Sequence, residues 1–177
     1  DECGRIYYTD ELNHTLVAVD PRGAVLWSKS GQGSETGQFR YPRGLSLGWI
    51  ESDREVISCL AVADAWNQRI QFFDIMGNHL LSLTQARGRR FSNPSDVRFI
   101  AQPESADPAQ GCWLVLDSGN HRLCFLSTSG ACISDLARPL PPVFWTAAEE
   151  FWPGPLTLVL PASPTVPEFL AGPGGTV

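Results

Sequence analysis

Short apolar segments alternate with turn-forming residues along the first three quarters of the chain. Runs such as RIYYTD, CLAVAD and RIQFFD are apolar at most positions and lie close to aspartate, glycine or proline. Apolar runs of this length between turn residues are typical of β-strands. The 16 glycines and 14 prolines of the 177-residue chain also favour many short strands over long helices.

The strand pattern occurs three times. The segments GRIYYTDELNHTLVAVDPRG, CLAVADAWNQRIQFFDIMG and CWLVLDSGNHRLCFLSTSG align without a gap, and successive copies are 54 and then 53 residues apart. Each copy has an aspartate followed three residues later by an asparagine. A repeat of this length, built from short strands, predicts the blades of a β-propeller. The repeated positions are Asp10, Asn13, Asp64, Asn67, Asp117 and Asn120.

Lead-in segments, GQFRYPRGLSL and GRRFSNPSDVRFI, precede the second and third copies. The first copy lacks a lead-in, so we expect four strands in the later units and fewer in the first. The predicted fold is all-β, a partial and open propeller of about two and two-thirds four-stranded blades. The predicted domain covers residues 1–136, with blades at 1–30, 37–85 and 88–136, and a proline-rich linker follows at 137–148.

Polar residues at the turns have predicted structural roles. The repeated aspartate is expected to accept hydrogen bonds from backbone N–H groups of the turn that follows it. The asparagine in that turn tolerates left-handed backbone angles. Arg69 and Arg122 begin the third strand, and we expect each to pair with an aspartate of the same or a neighbouring blade. Thr15 takes this place in the first copy, so that blade is expected to be held less firmly.

The pattern G-x-F-x-x-P-x-G, followed by V-A-D-x-x-N-x-R-I-Q-x-F-D-x-x-G, resembles the NHL repeat over about three quarters of the chain. The second copy, VADAWNQRIQFFDIMG, is nearly a consensus sequence of that family. The resemblance implies an NHL-type propeller that serves as a non-enzymatic binding platform for a protein or peptide. The chain departs from the family pattern in two longer connections, LGWIESDREVIS and AQPESADPAQG, which we expect to be surface loops.

Residues 149–177 resemble an internal stretch of the YrdC-like threonylcarbamoyl-AMP synthase family, most closely in the segment FWPGPLTLVL. The resemblance implies ATP, threonine and bicarbonate as substrates and threonylcarbamoyl-adenylate, used in tRNA modification, as product. A role in lining a substrate cleft carries over only to the four residues that match the motif. These are Pro153, Gly154, Pro155 and Thr157.

The catalytic motifs of that synthase family have no counterpart in this sequence. The family's Lys-x-Arg signature is absent, because Lys29 is the only lysine and is followed by Ser30 and Gly31. Two explanations stay open: a composite or truncated product that joins a propeller fragment to part of a synthase, or a proline-rich strand that mimics the motif. We prefer the first. A piece of an α/β domain this short cannot bury enough apolar surface to fold alone.

The net charge of -6 repels phosphate backbones and argues against general nucleic-acid binding. Arg87, Arg89 and Arg90, with Arg98 nearby, form a local basic cluster that we interpret as a solvated loop or, alternatively, a binding surface. The sequence has no run of 18 apolar residues, which argues against a membrane span, and its first residues do not resemble a signal peptide. The compartment stays open, with a cytoplasmic location favoured by the cysteine pattern.

Cysteines and histidines predict neither a metal site nor a disulfide framework. The five cysteines include no C-x-x-C pair, and Cys59 and Cys112 occupy equivalent repeat positions, where we expect small buried hydrophobes. His14 and His121 are also repeat-equivalent, but the third such position is Gln68, so we expect exposed turn residues. The sequence contains no hydrolase or metalloprotease motif, and we expect no enzyme activity and no cofactor.

Two tryptophans are candidate binding residues. Trp66 stands in the turn of the second copy and Trp49 in the first long connection, so either is a candidate for an exposed binding face, although packing against an adjacent blade is the preferred interpretation. The leading functional hypothesis is a platform for a protein or peptide, and the alternative is an inactive piece of a synthase. A third hypothesis, RNA binding through the arginines, is weakened by the acidic balance. Unpaired strand edges also predict self-association.

Overall fold

A computed structural model describes residues 1–52, 55–101 and 110–135. This part of the chain forms 13 β-strands, and its helical residues are confined to short 3-10 turns. Three antiparallel sheets follow one another in chain order, with three strands in the first sheet and four in each of the others. A separate two-stranded hairpin lies between the second and third sheets. No helix in this part is long and apolar enough to cross a membrane.

Each sheet is a meander in which neighbours in sequence are neighbours in space. The first contains β1 (Ile6–Asp10), β2 (Thr15–Val19) and β3 (Val25–Ser30). The second contains β4 (Pro42–Ser52), β5 (Glu55–Asp64), β6 (Arg69–Asp74) and β7 (His79–Leu83). The hairpin pairs β8 (Gln85–Ala86) with β9 (Arg89–Arg90). The third sheet contains β10 (Pro94–Ile100), β11 (Cys112–Asp117), β12 (Arg122–Ser127) and β13 (Cys132–Asp135).

This arrangement confirms the predicted fold class. The sheets are propeller blades that stay open, since they do not close into a ring, and the blade without a lead-in has three strands. The predicted linker at 137–148 and the segment 149–177 lie outside the described residues.

The prediction of a surface loop in LGWIESDREVIS is wrong. Strands β4 and β5 continue through this segment, with Gly48 opposite Cys59 and Ser52 opposite Glu55. The segment contains isoleucine, valine and tryptophan, which favour strands, and continued pairing satisfies its backbone groups. The second long connection falls mostly at 102–109, outside the described residues.

The hydrophobic core lies between neighbouring blades. One cluster joins the first blade to the second, and its fully buried members include Leu16, Leu60 and Phe73. A larger cluster joins the second blade to the third. Gly48 lies at this second interface, where a Cβ atom would clash with the Phe99 ring, so glycine permits the close approach of the two inner strands. The larger cluster contains Ile50, Cys59, Ala61, Ala63, Ile70, Phe72, Ala86, Phe91, Val97, Trp113, Val115, Cys124 and Leu126.

Cys59 and Cys112 are core residues, as predicted. Their exposed fractions are 0% and 1%. Burial raises the pKa of the Cys59 thiol to about 12 and that of Cys112 to about 11. Neither thiol ionises near neutral pH, so neither provides a nucleophilic thiolate.

The outer face of the first blade is open. Ile6 and Tyr8 on β1 are 59% and 45% exposed. The residues at the same repeat positions in the other blades are 0% exposed and belong to the two core clusters. They are Leu60 and Val62 in the second blade and Trp113 and Val115 in the third. The face that each later blade buries against its predecessor is therefore uncovered in the first blade.

Candidate functional site

One end of the three blades carries most of the residues that the sequence singles out. Pro42 pairs with Asp64, Asp64 with Arg69, and Ile70 with Leu83, so the lead-in of the second blade, its central turn and the end of its last strand meet there. The third blade repeats this arrangement. We call this end the turn rim, and it comprises residues 10–15, 31–41, 64–69, 84–93 and 117–122.

A buried carboxylate organises the rim of the second blade. Asp64 is 0% exposed. One of its oxygens accepts a hydrogen bond from the Arg40 backbone N–H at 2.8 Å. The other accepts from Asn67 Nδ2, Arg69 Nε and Gln71 Nε2 at 2.9, 2.7 and 3.1 Å. Charge-assisted bonds to a buried acceptor hold all four donor groups in fixed positions.

Arg69 extends this network into the lead-in loop of the same blade. Its guanidinium donates to the backbone carbonyls of Ser34, Glu35 and Gln38 at 2.8 to 2.9 Å. Asn67 donates to the Gly33 carbonyl at 2.8 Å. The loop from 33 to 38 has no strand of its own, so these bonds fix a segment that would otherwise be free to move.

The third blade repeats the network around Asp117. This carboxylate is also 0% exposed and accepts from the Ser92 N–H, Asn120 Nδ2 and Arg122 Nε at 2.7 to 2.8 Å. Arg69 and Arg122 thus each pair with the aspartate of their own blade, which was one predicted alternative, and not with that of a neighbouring blade. The first blade differs, because Asp10 accepts hydrogen bonds from its own turn: bonds from the side chain and backbone of Asn13, and from the Leu12 backbone, lower the pKa of Asp10.

Two predicted details of the turns are wrong. The backbone N–H groups that donate to Asp64 and Asp117 belong to the lead-in segment before their blade's first strand, whereas Asp10 accepts from a backbone N–H of the turn that follows it. The left-handed residue is the one after each asparagine, with φ of 54° at His14, 55° at Gln68 and 52° at His121. Asparagine instead adopts the 3-10 turn, so that its side chain reaches the aspartate.

Aromatic rings stack at the junction of the first two blades. The rings of Trp66 and Tyr41 are 4.5 Å apart between centroids and tilted by 39°. Tyr41 also meets the His14 ring edge-on at 4.6 Å, and its N–H donates to His14 Nδ1 at 3.0 Å. Trp66 remains 62% exposed. A supported, exposed indole is a group that can bind an apolar or aromatic part of a partner.

Sequence reasoning identified Trp66 but missed Tyr41. Tyr41 has φ of 53°, a backbone conformation that a bulky side chain rarely adopts. The corresponding residue of the third blade is Asn93, with φ of 48°, and asparagine is a usual occupant of this region. Alignment of the two lead-in segments could have identified Tyr41, because tyrosine stands directly before the repeated proline where the third blade has asparagine.

The histidines do not converge. His14 is 9% exposed, which contradicts the expectation of an exposed turn residue, since its ring packs against Tyr41. His121 is exposed on the rim of the third blade, and His79 lies on β7, where burial lowers its pKa. The described residues contain no group of three or more His, Cys, Asp or Glu side chains placed to hold a metal ion.

The arginine cluster forms the hairpin of β8 and β9 rather than an irregular loop. Arg87, Arg89 and Arg90 are exposed. The hairpin's backbone is anchored to the third blade, because Arg122 donates to the carbonyls of Ala86 and Arg89 at 3.4 and 3.0 Å. Asn120 donates to the Arg90 carbonyl at 2.7 Å. The three side chains therefore project from a fixed backbone. Arg98 lies apart on β10 and pairs with Asp96 at 3.1 Å.

Trp49 does not belong to the turn rim. It lies on β4 opposite Ser58, is partly buried, and is seven residues beyond Pro42. Seven residues of strand span about 23 Å, which places Trp49 toward the opposite end of the blade from Trp66. The structure thus brings Trp66 and the three arginines to one end and leaves Trp49 out. The remaining candidates, Pro153, Gly154, Pro155 and Thr157, lie outside the described residues.

Comparison with solved structures supports the propeller fold. Streptogramin B lyase matches with a TM-score of 0.55 and 13% identity over 80% of this chain and 39% of that chain. This chain thus spans well under half the length of that protein. Virginiamycin B lyase from Staphylococcus aureus, in a catalytically inactive form with quinupristin, matches with a TM-score of 0.39 and 12% identity over 78% of this chain and 54% of that chain. At 13% identity the likeness to streptogramin B lyase concerns the fold alone.

Comparison by sequence concerns the C-terminal part. The Sua5/YciO/YrdC family model, described as telomere recombination, matches residues 117–177, about a third of the chain. This match agrees with the resemblance of 149–177 to the YrdC-like family and extends it toward the N-terminus into the third blade. A search of curated proteins found no significant match.

Proposed function

We propose that the described blades act as a non-enzymatic binding platform and that a protein or peptide binds at the turn rim. The observation that carries this proposal is the exposed indole of Trp66, which stacks on Tyr41 above a backbone fixed by Asp64. An aromatic side chain that is already ordered loses little conformational entropy on binding. Residues of this kind contribute most of the binding energy in many interfaces.

The rigidity of the rim supports the same proposal. The lead-in loop of the second blade and the arginine hairpin (residues 85–90) lack long strands, yet each is anchored by an asparagine and an arginine that a buried aspartate orients. Loops held by a rigid scaffold are the usual position of binding residues. In the second and third blades, the repeated aspartate, asparagine and arginine therefore hold the surface on which a partner would bind.

Selection of peptides from a random display library on the purified chain tests this proposal. We expect enriched peptides to bind the wild-type chain, and their dissociation constants to rise by about thirtyfold with Trp66→Ala, because central aromatic anchors contribute about 2 kcal/mol or more. Leu12 and Gly119 occupy the equivalent turn positions, so this site accepts smaller side chains without loss of the fold.

Met76→Ala is the matched control. Met76 is also 62% exposed but lies in the turn between β6 and β7, at the end of the blade away from the rim. Its substitution is expected to leave peptide binding unchanged. Absence of any enriched peptide, or equal losses with the two substitutions, would contradict binding at the rim.

The family match supports a second proposal for the C-terminal segment. We propose that it is a truncated piece of a threonylcarbamoyl-AMP synthase, inactive as it stands. The match to residues 117–177 carries this proposal. The family's use of ATP, threonine and bicarbonate is what the resemblance implies for the complete enzyme, and its basic Lys-x-Arg signature has no counterpart in this sequence.

A pyrophosphate-release assay tests the second proposal. The chain is incubated with ATP, threonine and bicarbonate, with a parallel reaction that lacks threonine. We expect no threonine-dependent release of pyrophosphate, because the residues of the family's basic signature are missing. Threonine-dependent release that persists after repurification would show an active enzyme and overturn the proposal that the segment is inactive.

A further inference from the structure

We infer that the arginine hairpin binds the carboxylates of an acidic peptide segment, which makes an acidic protein or peptide the partner of the turn rim. This inference rests on the proposed platform function and adds the chemical class of its partner. It arises from the backbone conformation of the hairpin, its anchoring, and the distribution of charge over the chain.

The tip of the hairpin has an unusual residue. Arg87 and Gly88 have φ of 50° and 74°, and these two residues connect β8 to β9. A two-residue connection with two positive φ angles favours Asn-Gly or Asp-Gly, because asparagine and aspartate tolerate the first position best. Arginine there costs backbone energy relative to asparagine or aspartate, and residues in sparsely populated backbone conformations are often found at functional sites.

The anchoring of the hairpin uses backbone atoms only. Arg122 and Asn120 bond to the carbonyls of Ala86, Arg89 and Arg90. The exposed guanidinium groups of the hairpin are therefore not needed for these bonds. Successive residues of a strand point to opposite faces, so Arg89 and Arg90 present charge on both sides of β9. A flexible acidic segment can reach both sides.

The charge distribution identifies the occupant. The chain as a whole has a net charge of -6, whereas the hairpin places three arginines within four residues. A planar guanidinium forms two parallel hydrogen bonds with a carboxylate. A long polyanion such as RNA would extend past the hairpin, where the net negative charge of this chain repels it. A short acidic segment contacts only the hairpin and neutralises its positive charge. These considerations favour an acidic peptide over a nucleic acid.

Binding of a fluorescein-labelled octaglutamate peptide tests this inference. We expect the full chain to bind the peptide, and the dissociation constant to rise about tenfold or more in the variant Arg87→Asn/Arg89→Gln/Arg90→Gln, since the three substitutions together remove three exposed ion pairs with the peptide. Arg87→Asn also relieves the left-handed strain, so the variant should fold at least as well as the wild type, which circular dichroism checks.

The control variant removes equal charge elsewhere, through Arg22→Gln, Lys29→Gln and Arg98→Gln. It is expected to bind octaglutamate like the wild type. No binding, equal losses in the two variants, or tighter arginine-dependent binding of an oligouridylate of matched charge would overturn the inference. Display-selected peptides that depend on Trp66 but lack acidic residues would also reject the acidic partner while leaving the platform proposal intact.

Discussion

Asp64→Ala is expected to lower the free energy of unfolding by about 3 to 5 kcal/mol, the usual loss when one member of a buried ion pair is removed. Asp64 is 0% exposed and accepts four hydrogen bonds, one of them from Arg69, whose side chain is only 11% exposed. The substitution leaves the guanidinium, two amide groups and the Arg40 N–H without their shared acceptor. The lead-in loop should loosen along with the blade.

Urea unfolding measures this effect through the midpoint, provided that the slope of the transition is unchanged. Asp64→Asn keeps the shape of the side chain and one acceptor, so its loss should be smaller than that of alanine. Asp10→Ala is the matched control, because Asp10 occupies the same repeat position but bonds within its own turn, and Thr15 stands in the first blade where Arg69 stands in the second. Equal losses at Asp10 and Asp64 would show that the network adds nothing beyond the turn itself.

The sequence predicted the blades well because their information is local. Each repeat consists of strands that pair with the next strand along the chain, and the turn residues that connect them recur in phase. The acceptor role of the aspartate was predicted less well. Asp64 bonds to an N–H that is 24 residues upstream, and Asp117 to one 25 residues upstream. Local turn rules assume that the partner of an aspartate lies within the next few residues. In the second blade, the pairing of β4 with β5 instead brings the Arg40 N–H to Asp64.

The length of the segment LGWIESDREVIS misled the prediction. A connection longer than the family pattern suggested a surface loop, but the extra residues instead lengthen β4 and β5, which stay paired. At the candidate site, the sequence identified one of the two stacked aromatic residues. Trp66 was predictable as an unusual residue of its turn, whereas the stacking of Tyr41 on it depends on a left-handed backbone before Pro42, which only the fold reveals.

The open face of the first blade predicts association of the chain. Burial of Leu60, Val62, Trp113 and Val115 shows that this repeat surface normally lies against a neighbouring blade, yet Ile6 and Tyr8 remain exposed. The adjacent edge of β1 also has no strand partner among the described residues. We therefore expect the chain to form oligomers through this face and edge, with sedimentation velocity showing larger species at higher concentration.

Ile6→Glu is expected to raise the dissociation constant of these oligomers by at least about tenfold, because full burial of an isoleucine side chain contributes about 1.5 to 3 kcal/mol and a buried glutamate adds a cost of its own. Tyr8→Glu should act in the same direction. Met76→Glu is the control, since Met76 is as exposed as Ile6 but lies in the β6–β7 turn. A wild-type chain that stays monomeric at every concentration, or equal effects of Ile6→Glu and Met76→Glu, would contradict association through the first blade.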